Sequence, residues 1–297
     1  MVSVITTAYN VEKYISQCIE SVLNQTFTDF EYIIVSDCPT DSTLGIIKEY
    51  AKQDSRIVLI ENKENLGSGM SRKIGIENSK GEYTIFVDGD DYITPTLIDR
   101  MYKYGNENDF DIVSNYVKVF GMEIYSKISM KQYNMEDGIY DNDDKKKHLI
   151  ITSKMPFLNN KLIRRTLWDK VKYCERRFIE DSQTFTKLIY YCNKIVHLVD
   201  DGETYYMYRK HDEAMTVSAK KYKMILFNAL YALDNFNFFN IELKDNIYKT
   251  FFNKFYIKKF VNRYYNMSLN EIDKCRKECP NEVQELTERW NKIKKIL

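Results

Sequence analysis

The feature that most restricts this chain is the regular alternation of strand-like and helix-like segments through its first hundred residues. "VSVITTAY" (Val2–Tyr9) is a β-branched run, and "VEKYISQCIESVLNQ" after it places Tyr14, Ile15, Cys18, Ile19, Val22 and Leu23 at helical spacing. The pair then repeats: "EYIIVSD" (Glu31–Asp37) with "TDSTLGIIKEYAKQ", "RIVLIEN" (Arg56–Asn62) with "SGMSRKIGIENSK", and a fourth strand "EYTIFVD" ending at Asp88. Thr40 or Asp41 can offer the second helix an N-cap oxygen. Strands joined through helices come out parallel, in a twisted sheet with helices on both faces. Ligands of such sheets lie in the crevice at the carboxyl ends of the strands. Tyr9, Asp37, Asn65 and Asp88 to Asp91 follow strands and are expected to meet there.

Beyond residue 100 the alternation loosens. "DIVSNYVKVFGMEIYS" reads as strand or hairpin, "YDNDDKKKHLIITS" as a charged loop entering a helix, and "TFTKLIYYCNKIVHLV" as a helix followed by a strand. After Ser218, "YKMILFNALYALDNFNFF", "DNIYKTFFNKFYIKKFVNRYY" and "NEIDKCRKECPNEVQELTERWNKIKKIL" each read as a helix. The expected division is 1–100, 101–218 and a helical appendage at 219–297, with no internal repeat and no low-complexity linker.

Composition narrows the function classes. A chain of 297 residues can bury a sizeable core, and 44 Lys+Arg against 43 Asp+Glu gives no support for a nucleic-acid partner. The six cysteines form no C-x-x-C pair and read as reduced thiols of a cytoplasmic protein. "MVSVITTAYN" lacks a basic, apolar leader, so no signal peptide is expected, and no stretch approaches the roughly 18 apolar residues of a membrane span.

"EYTIFVDGDDYI" delivers Asp88, Asp90 and Asp91 at the end of an apolar strand. Two carboxylates two apart on a tight turn can share a hard divalent cation, whose remaining positions go to phosphates and water. For a lone D-x-D a solvated acidic turn is the simpler reading. An EF-hand fails because Ile93 stands where that loop needs glycine. Two further D-x-D triplets are set aside: "DFD" at 109–111 has no strand before it, and "DND" at 141–143 sits in a mixed charge run.

Four blocks in order decide between these readings: "VSVITTAYN" (2–10), "VSDCPTDST" (35–43), "ENLGSGMSRKIGI" (64–76) and "GEYTIFVDGDD" (81–91). Together they resemble glycosyltransferase family 2, inverting nucleotide-sugar transferases of the GT-A fold. The resemblance implies a uracil contact from Ala8, Tyr9 and Asp37, and hence a UDP-sugar donor. It implies Arg72 near the base or diphosphate, Asp88 in the ribose and metal shell, and Asp90 on a Mn²⁺ or Mg²⁺ ion. The sequence departs from the family pattern at Thr7, at Ser36, at Cys38-Pro39 in place of a glycine-containing turn, and at Lys73.

The same resemblance reaches the second half. "RFIEDSQTF" (Arg177–Phe185) matches the family's Glu-Asp pair opening a helix, which implies Asp181 as the base and Glu180 as its neighbour. An ordinary Asp, with a pKa of about 3.9, is a weak base at neutral pH, so the proton is expected to move late. "YYMYRKHDEAMTVS" resembles the Y-R-x-H segment, implying Arg209 at the diphosphate and His211 at the metal; His148 and His197 are read as structural.

Two other functions compete. A nucleotidyltransferase calls for a glycine-rich basic loop after the first strand, which "TTAYNVEKY" is not. A catalytically degenerate carbohydrate-binding subunit is the non-enzymatic alternative. The expected partners are a UDP-sugar and a saccharide or lipid-linked acceptor, and many bacterial relatives build surface polysaccharides. From Lys244 to Leu297 there are 13 Lys+Arg against 7 Asp+Glu, interleaved with aromatics. That helical region is expected either to pack its aromatic stripe on the catalytic domain or a second subunit, or to rest as a peripheral contact on an anionic membrane face.

Overall fold

The computed structural model describes residues 1–121, 137–141, 157–173, 180–212, 221–242 and 254–296. Most of the charged stretch after Tyr140, with His148 and the triplet at 141–143 beyond its first residue, lies outside these residues, as do Cys174 and positions 177–179. The described cysteines, Cys18, Cys38, Cys192, Cys275 and Cys279, are all free thiols. The chain forms two compact units, Met1–His211 and Asp212–Leu297.

The first unit opens with the expected alternation: β1 (Val2–Ala8), α1 (Ile15–Leu23), β2 (Phe30–Ser36), α2 (Thr43–Gln53), β3 (Ile57–Glu61), α3 (Ser68–Glu77) and β4 (Tyr83–Phe86). These strands pair in parallel in the order β3-β2-β1-β4. Val2, Val4, Ile33, Ile34, Val35 and Ile85 are all inaccessible to solvent. A strand covered on both faces needs such a continuous apolar run, and each buried side chain contributes roughly 1.5–3 kcal/mol. At the start of α2 the N-cap is Ser42, not Thr40 or Asp41, and its side chain makes no cap bond; Asp41 Oδ1, one residue earlier, accepts the Thr43 amide at 3.0 Å.

The sheet then changes character. β5 (Tyr92–Ile93) and α4 (Leu97–Asn108) follow β4, then β6 (Ile112–Ser114), β7 (Val117–Phe120), β8 (Gly138–Tyr140), β9 (Lys161–Arg164), the Glu180–Tyr191 helix, β10 (Ile195–His197) and β11 (Tyr206–Arg209). β9 inserts between β4 and β6, antiparallel to both, so the eight-stranded sheet runs β3-β2-β1-β4-β9-β6-β10-β8. Within the segment expected to be a strand or hairpin, the described residues hold two strands that do not pair with each other: β6 joins the large sheet and β7 joins a separate sheet, β5-β11-β7. Asn115 makes the switch, its amide bonded to the Asn160 carbonyl at 3.1 Å and its side chain donating to the Thr204 carbonyl at 2.7 Å. The small sheet borders the D-x-D turn, because β11 lies antiparallel to β5, which follows that turn immediately.

The second unit is helical: Lys221–Phe236 running into a π-helical turn Asn237–Glu242, then Lys254–Tyr265, Leu269–Glu278 and Pro280–Ile296. The final segment, expected as one helix, is two. Cys279 leaves the helix at φ −139, and Pro280, with no amide hydrogen to give, begins the next. Leu226, Leu230, Leu233, Val261, Tyr264, Leu286 and Trp290 are buried within this unit. Among the described residues no helix is long and apolar enough to cross a membrane.

Candidate active site

The D-x-D turn leaves β4 through Val87, whose amide bonds the Ile5 carbonyl at 3.0 Å. Gly89 passes so close to the end of β1 that a Cβ there would lie 3.1 Å from the Thr7 carbonyl oxygen and 3.2 Å from Val11. Close backbone approach therefore explains the glycine between the two aspartates. The Asp91 amide closes the turn on the Asp88 carbonyl at 2.9 Å.

Each aspartate then takes a different job. Asp88 Oδ1 accepts Arg72 Nη2 at 2.7 Å and Oδ2 accepts Asn159 Nδ2 at 3.1 Å, so both oxygens are held. Asp90 Oδ2 lies 3.0 Å from His211 Nε2. Asp91 is 1% exposed and faces inward, accepting the Tyr206 hydroxyl at 2.6 Å and the Arg209 amide at 2.7 Å. Burial, with the charges of Asp90 and Asp88 added, pushes its carboxyl well above the usual range. The third carboxylate is thus an internal tie.

Glu180 and Asp181 occupy the first turn of their helix, where the helix dipole favours negative charge. Arg72, on α3, reaches both: Nη1 lies 2.8 Å from Glu180 Oε1 and 2.7 Å from Asp181 Oδ1. One buried guanidinium therefore joins Asp88 of the D-x-D turn to Asp181 of the Glu180–Tyr191 helix. Burial opposes its charge, and Asp181, Asp88 and Glu180 outweigh that, holding it well above its ordinary pKa. Ser68 Oγ adds a 2.6 Å hydrogen bond to Glu180. Burial pushes Asp181 up to about 7; Glu180 and Asp88 act the same way, while Arg72 and the Leu158 amide oppose it. An ordinary carboxylate is thereby brought into the range of a general base at neutral pH.

The expected uracil side is stitched from two loops. Asn10 Oδ1 accepts the Thr40 amide at 2.8 Å, and Glu12 accepts the Ser42 amide at 2.9 Å. Ala8 ends β1 and is buried, while Tyr9 is 44% exposed. Asp37 is 3% exposed and accepts Asn62 Nδ2 at 2.8 Å and the amides of Leu66 and Gly67 at 2.9 and 2.8 Å. It therefore holds the loop that enters α3 and aims Arg72; with three of about four acceptor positions used, one remains. Cys38 stands at φ 55, a left-handed conformation that favours glycine, the residue the family pattern places there.

Arg209 turns toward the back of the turn. Its Nε donates to the Asp90 carbonyl at 2.7 Å, Nη2 reaches Gln17, and the guanidinium lies 4.7 Å from the Tyr14 ring centre and 4.6 Å from that of Phe120. His197, by contrast, sits in the sheet interior with Nδ1 3.1 Å from Ser114 Oγ, as a structural histidine should. Asp111 of the 109–111 triplet accepts the Asn193 amide at 2.6 Å and pairs with Arg164 at 3.3 Å, also a structural role.

Sequence reasoning missed the segment before β9. Phe86 bridges Asn159, which brings Asn159 Nδ2 onto Asp88 and, at 3.3 Å, onto the Tyr206 hydroxyl. Asn160 takes φ 63, and Lys161, fully buried, donates to Phe157 O and to Asn160 Oδ1 at 2.8 Å, its ammonium 4.6 Å from the Phe185 ring centre. Burial pulls its pKa down to about 7, with Asp181 acting the other way. Two polar residues and a lysine in succession look like surface, and only a contact map places them inside.

Residues 3–172, more than half the chain, match the sequence profile described as "Glycosyl transferase family 2". The chain belongs to glycosyltransferase family 2. Among relatives, the poly(ribitol-phosphate) beta-glucosyltransferase of Bacillus spizizenii is 32% identical over 73% of this glycosyltransferase chain and 34% of its own length. The uncharacterized glycosyltransferase EpsJ of Bacillus subtilis is 31% identical over 73% of this chain and 63% of its own. The family member described here thus spans between about a third and two thirds of these relatives. Among solved structures, S. aureus TarS 1-349 in complex with UDP-GlcNAc aligns over 96% of this chain and 78% of that one, with TM-score 0.66 and 23% identity. A mannosyltransferase from Pyrobaculum calidifontis in complex with GDP-Man and Mn²⁺ aligns over 97% of this chain and 83% of that one, with TM-score 0.55 and 14% identity. At these identities the match establishes the GT-A fold.

Proposed function

We propose that this glycosyltransferase moves a hexose or N-acetylhexosamine from a UDP-sugar to a hydroxyl of a saccharide or lipid-linked acceptor, with inversion, in surface polysaccharide synthesis. The observation that carries the proposal is the Arg72 junction, which brings the D-x-D turn and the Glu180-Asp181 pair onto one buried guanidinium. A donor carboxylate and a base on either side of one residue suit direct displacement. The glucosyltransferase relative and the UDP-GlcNAc complex of TarS support a UDP-linked hexose or hexosamine as donor.

In this reading Asp181 takes the proton of the acceptor hydroxyl as its oxygen forms the new bond to the anomeric carbon. The bond from that carbon to the diphosphate breaks on the opposite face, and its electron pair leaves with UDP. Asp37, through the loop it braces, keeps Arg72 aimed between the two carboxylate groups. Ala8 and Tyr9 provide backbone for the base, and Asp88 faces the ribose.

A divalent cation fits the residues present. Asp90 Oδ2 and His211 Nε2 are 3.0 Å apart, the edge expected of neighbouring ligands at about 2.0–2.1 Å from one octahedral ion. Asp90 and His211 would hold it, with Asp88 nearby; Mn²⁺ or Mg²⁺ would neutralise charge on the departing diphosphate. The test is UDP release with a panel of UDP-sugars and Mn²⁺, in which Asp90→Ala and Asp181→Ala are each inactive. Full activity in either variant refutes the assignment. Binding of sugar without UDP release would favour the degenerate subunit instead.

A further inference from the structure

Tyr206 is fully buried, and its hydroxyl oxygen is a junction of three hydrogen bonds. It accepts the Asp88 amide at 3.0 Å and Asn159 Nδ2 at 3.3 Å, and it donates to Asp91 Oδ2 at 2.6 Å. The partners come from two separate parts of the chain, the D-x-D turn and the segment before β9. Asn159 in turn holds one oxygen of Asp88, and Asp91 holds the Arg209 amide two residues before His211. Backbone bonds tie the turn to β1, Val87 to Ile5 at 3.0 Å and Gly89 to Thr7 at 3.3 Å, whereas β5 and β11 share only two register pairs, Ile93 with Tyr206 and Tyr92 with Met207. Side-chain bonds therefore supply most of the tie between the turn and β11. Buried groups of this kind must be satisfied, and removing the shared oxygen takes the partner from the Asp88 amide and from Asp91 Oδ2, while Asn159 Nδ2 keeps its bond to Asp88.

We propose that the Tyr206 hydroxyl, paired with Asp91, is the positioning group of the D-x-D turn, setting Asp88 and Asp90 for the donor diphosphate and its cation, an inference that rests on the proposed function. Tyr206 touches neither donor nor acceptor in this scheme. It acts through Asp88, Asn159 and Asp91, and so explains why a third carboxylate follows the D-x-D pair and faces inward.

Tyr206→Phe deletes that one oxygen and keeps the ring. Tyr83→Phe is the control: Tyr83 is equally buried, begins β4 at the end away from the turn, and donates to the Phe110 carbonyl at 3.0 Å. Two readouts are compared, hydrogen exchange of the 87–93 backbone and the steady-state constants for donor, acceptor and Mn²⁺. Tyr206→Phe is expected to speed exchange at 87–93 and to raise the donor KM and the Mn²⁺ needed for half activity, each by about tenfold, the scale of one lost buried hydrogen-bond centre. The acceptor KM stays unchanged. Tyr83→Phe lowers the thermal midpoint and moves neither readout. Wild-type exchange at 87–93 in Tyr206→Phe overturns the inference, as do donor and Mn²⁺ constants within twofold of an active wild type. If the wild type releases no UDP from any donor, the transferase reading fails, and the exchange rates still decide whether Tyr206 holds the turn.

Discussion

Arg72 and Asp181 are 109 residues apart in the chain and 2.7 Å apart in the fold, and the same guanidinium lies 2.7 Å from Asp88. Three carboxylates around one buried cation leave uncompensated negative charge. Burial, with that imbalance added, brings Asp181 to about 7.

Replacing Arg72 by Ala is therefore expected to lower stability by about 3–5 kcal/mol, the cost of leaving buried charges unpaired. Lys keeps the charge without the planar fork that serves three acceptors, so Arg72→Lys should still lose about 10²-fold in kcat/KM. Urea unfolding and UDP-release kinetics check the two effects separately. A fully active Arg72→Lys enzyme would count against the junction.

The pH dependence follows from Asp181. Its base form is the ionised one, so kcat/KM should rise with pH through an acid limb centred near 7 and then level. The stability effect has the opposite sense. The folded-state value lies above the unfolded one of about 3.9, so the favourable contribution is complete below 3.9 and lost as pH climbs toward 7. Asp181→Asn should therefore be inactive yet raise the thermal midpoint, with a larger gain at pH 8 than at pH 4. A gain that shrinks with pH would contradict this.

Metal removal tests the pair of Asp90 and His211. EDTA should stop UDP release, and Mn²⁺ or Mg²⁺ should restore it. His211→Ala should need more metal for half activity, by roughly tenfold, because one of two protein ligands is lost. Undiminished turnover in EDTA would remove the cation from the scheme.

Gly81 offers a test of the frame alone. A Cβ there would meet the Ser3 amide nitrogen at 2.5 Å and the Val2 carbonyl carbon at 2.8 Å, both backbone atoms of the central strand. Gly81→Ala should cost about 1–3 kcal/mol of stability, the range for overpacking, with donor and acceptor KM unchanged. Thermal unfolding and kinetics together check it.

Much of the site is legible along the chain because its parts are local. The run Tyr83 to Val87 is buried on both faces and so reads as a strand, and the acids after it must then stand at its carboxyl end. Even the departure at Cys38 carries information, since its left-handed backbone is what a glycine in that position would serve. Other features are not local. β9 is four residues long and begins with a buried lysine, which in sequence looks like surface. The hairpin reading of 112–120 fails because Asn115 is drawn to partners 45 and 89 residues away.

The sequence by itself determined the succession of strands and helices in the first hundred residues and the identity of the acids, because hydrophobic period and turn residues act over a few positions. Only the tertiary structure decided what each acid does. Asp91 lies beside Asp90 in the chain, yet one is tied to Tyr206 in the interior and the other faces His211, a distinction made by partners 115 and 121 residues away. Burial and charge at Asp181 depend likewise on where Arg72 and Asp88 arrive. Electrostatic character is set by neighbours in space, and those neighbours exist only once the chain has folded.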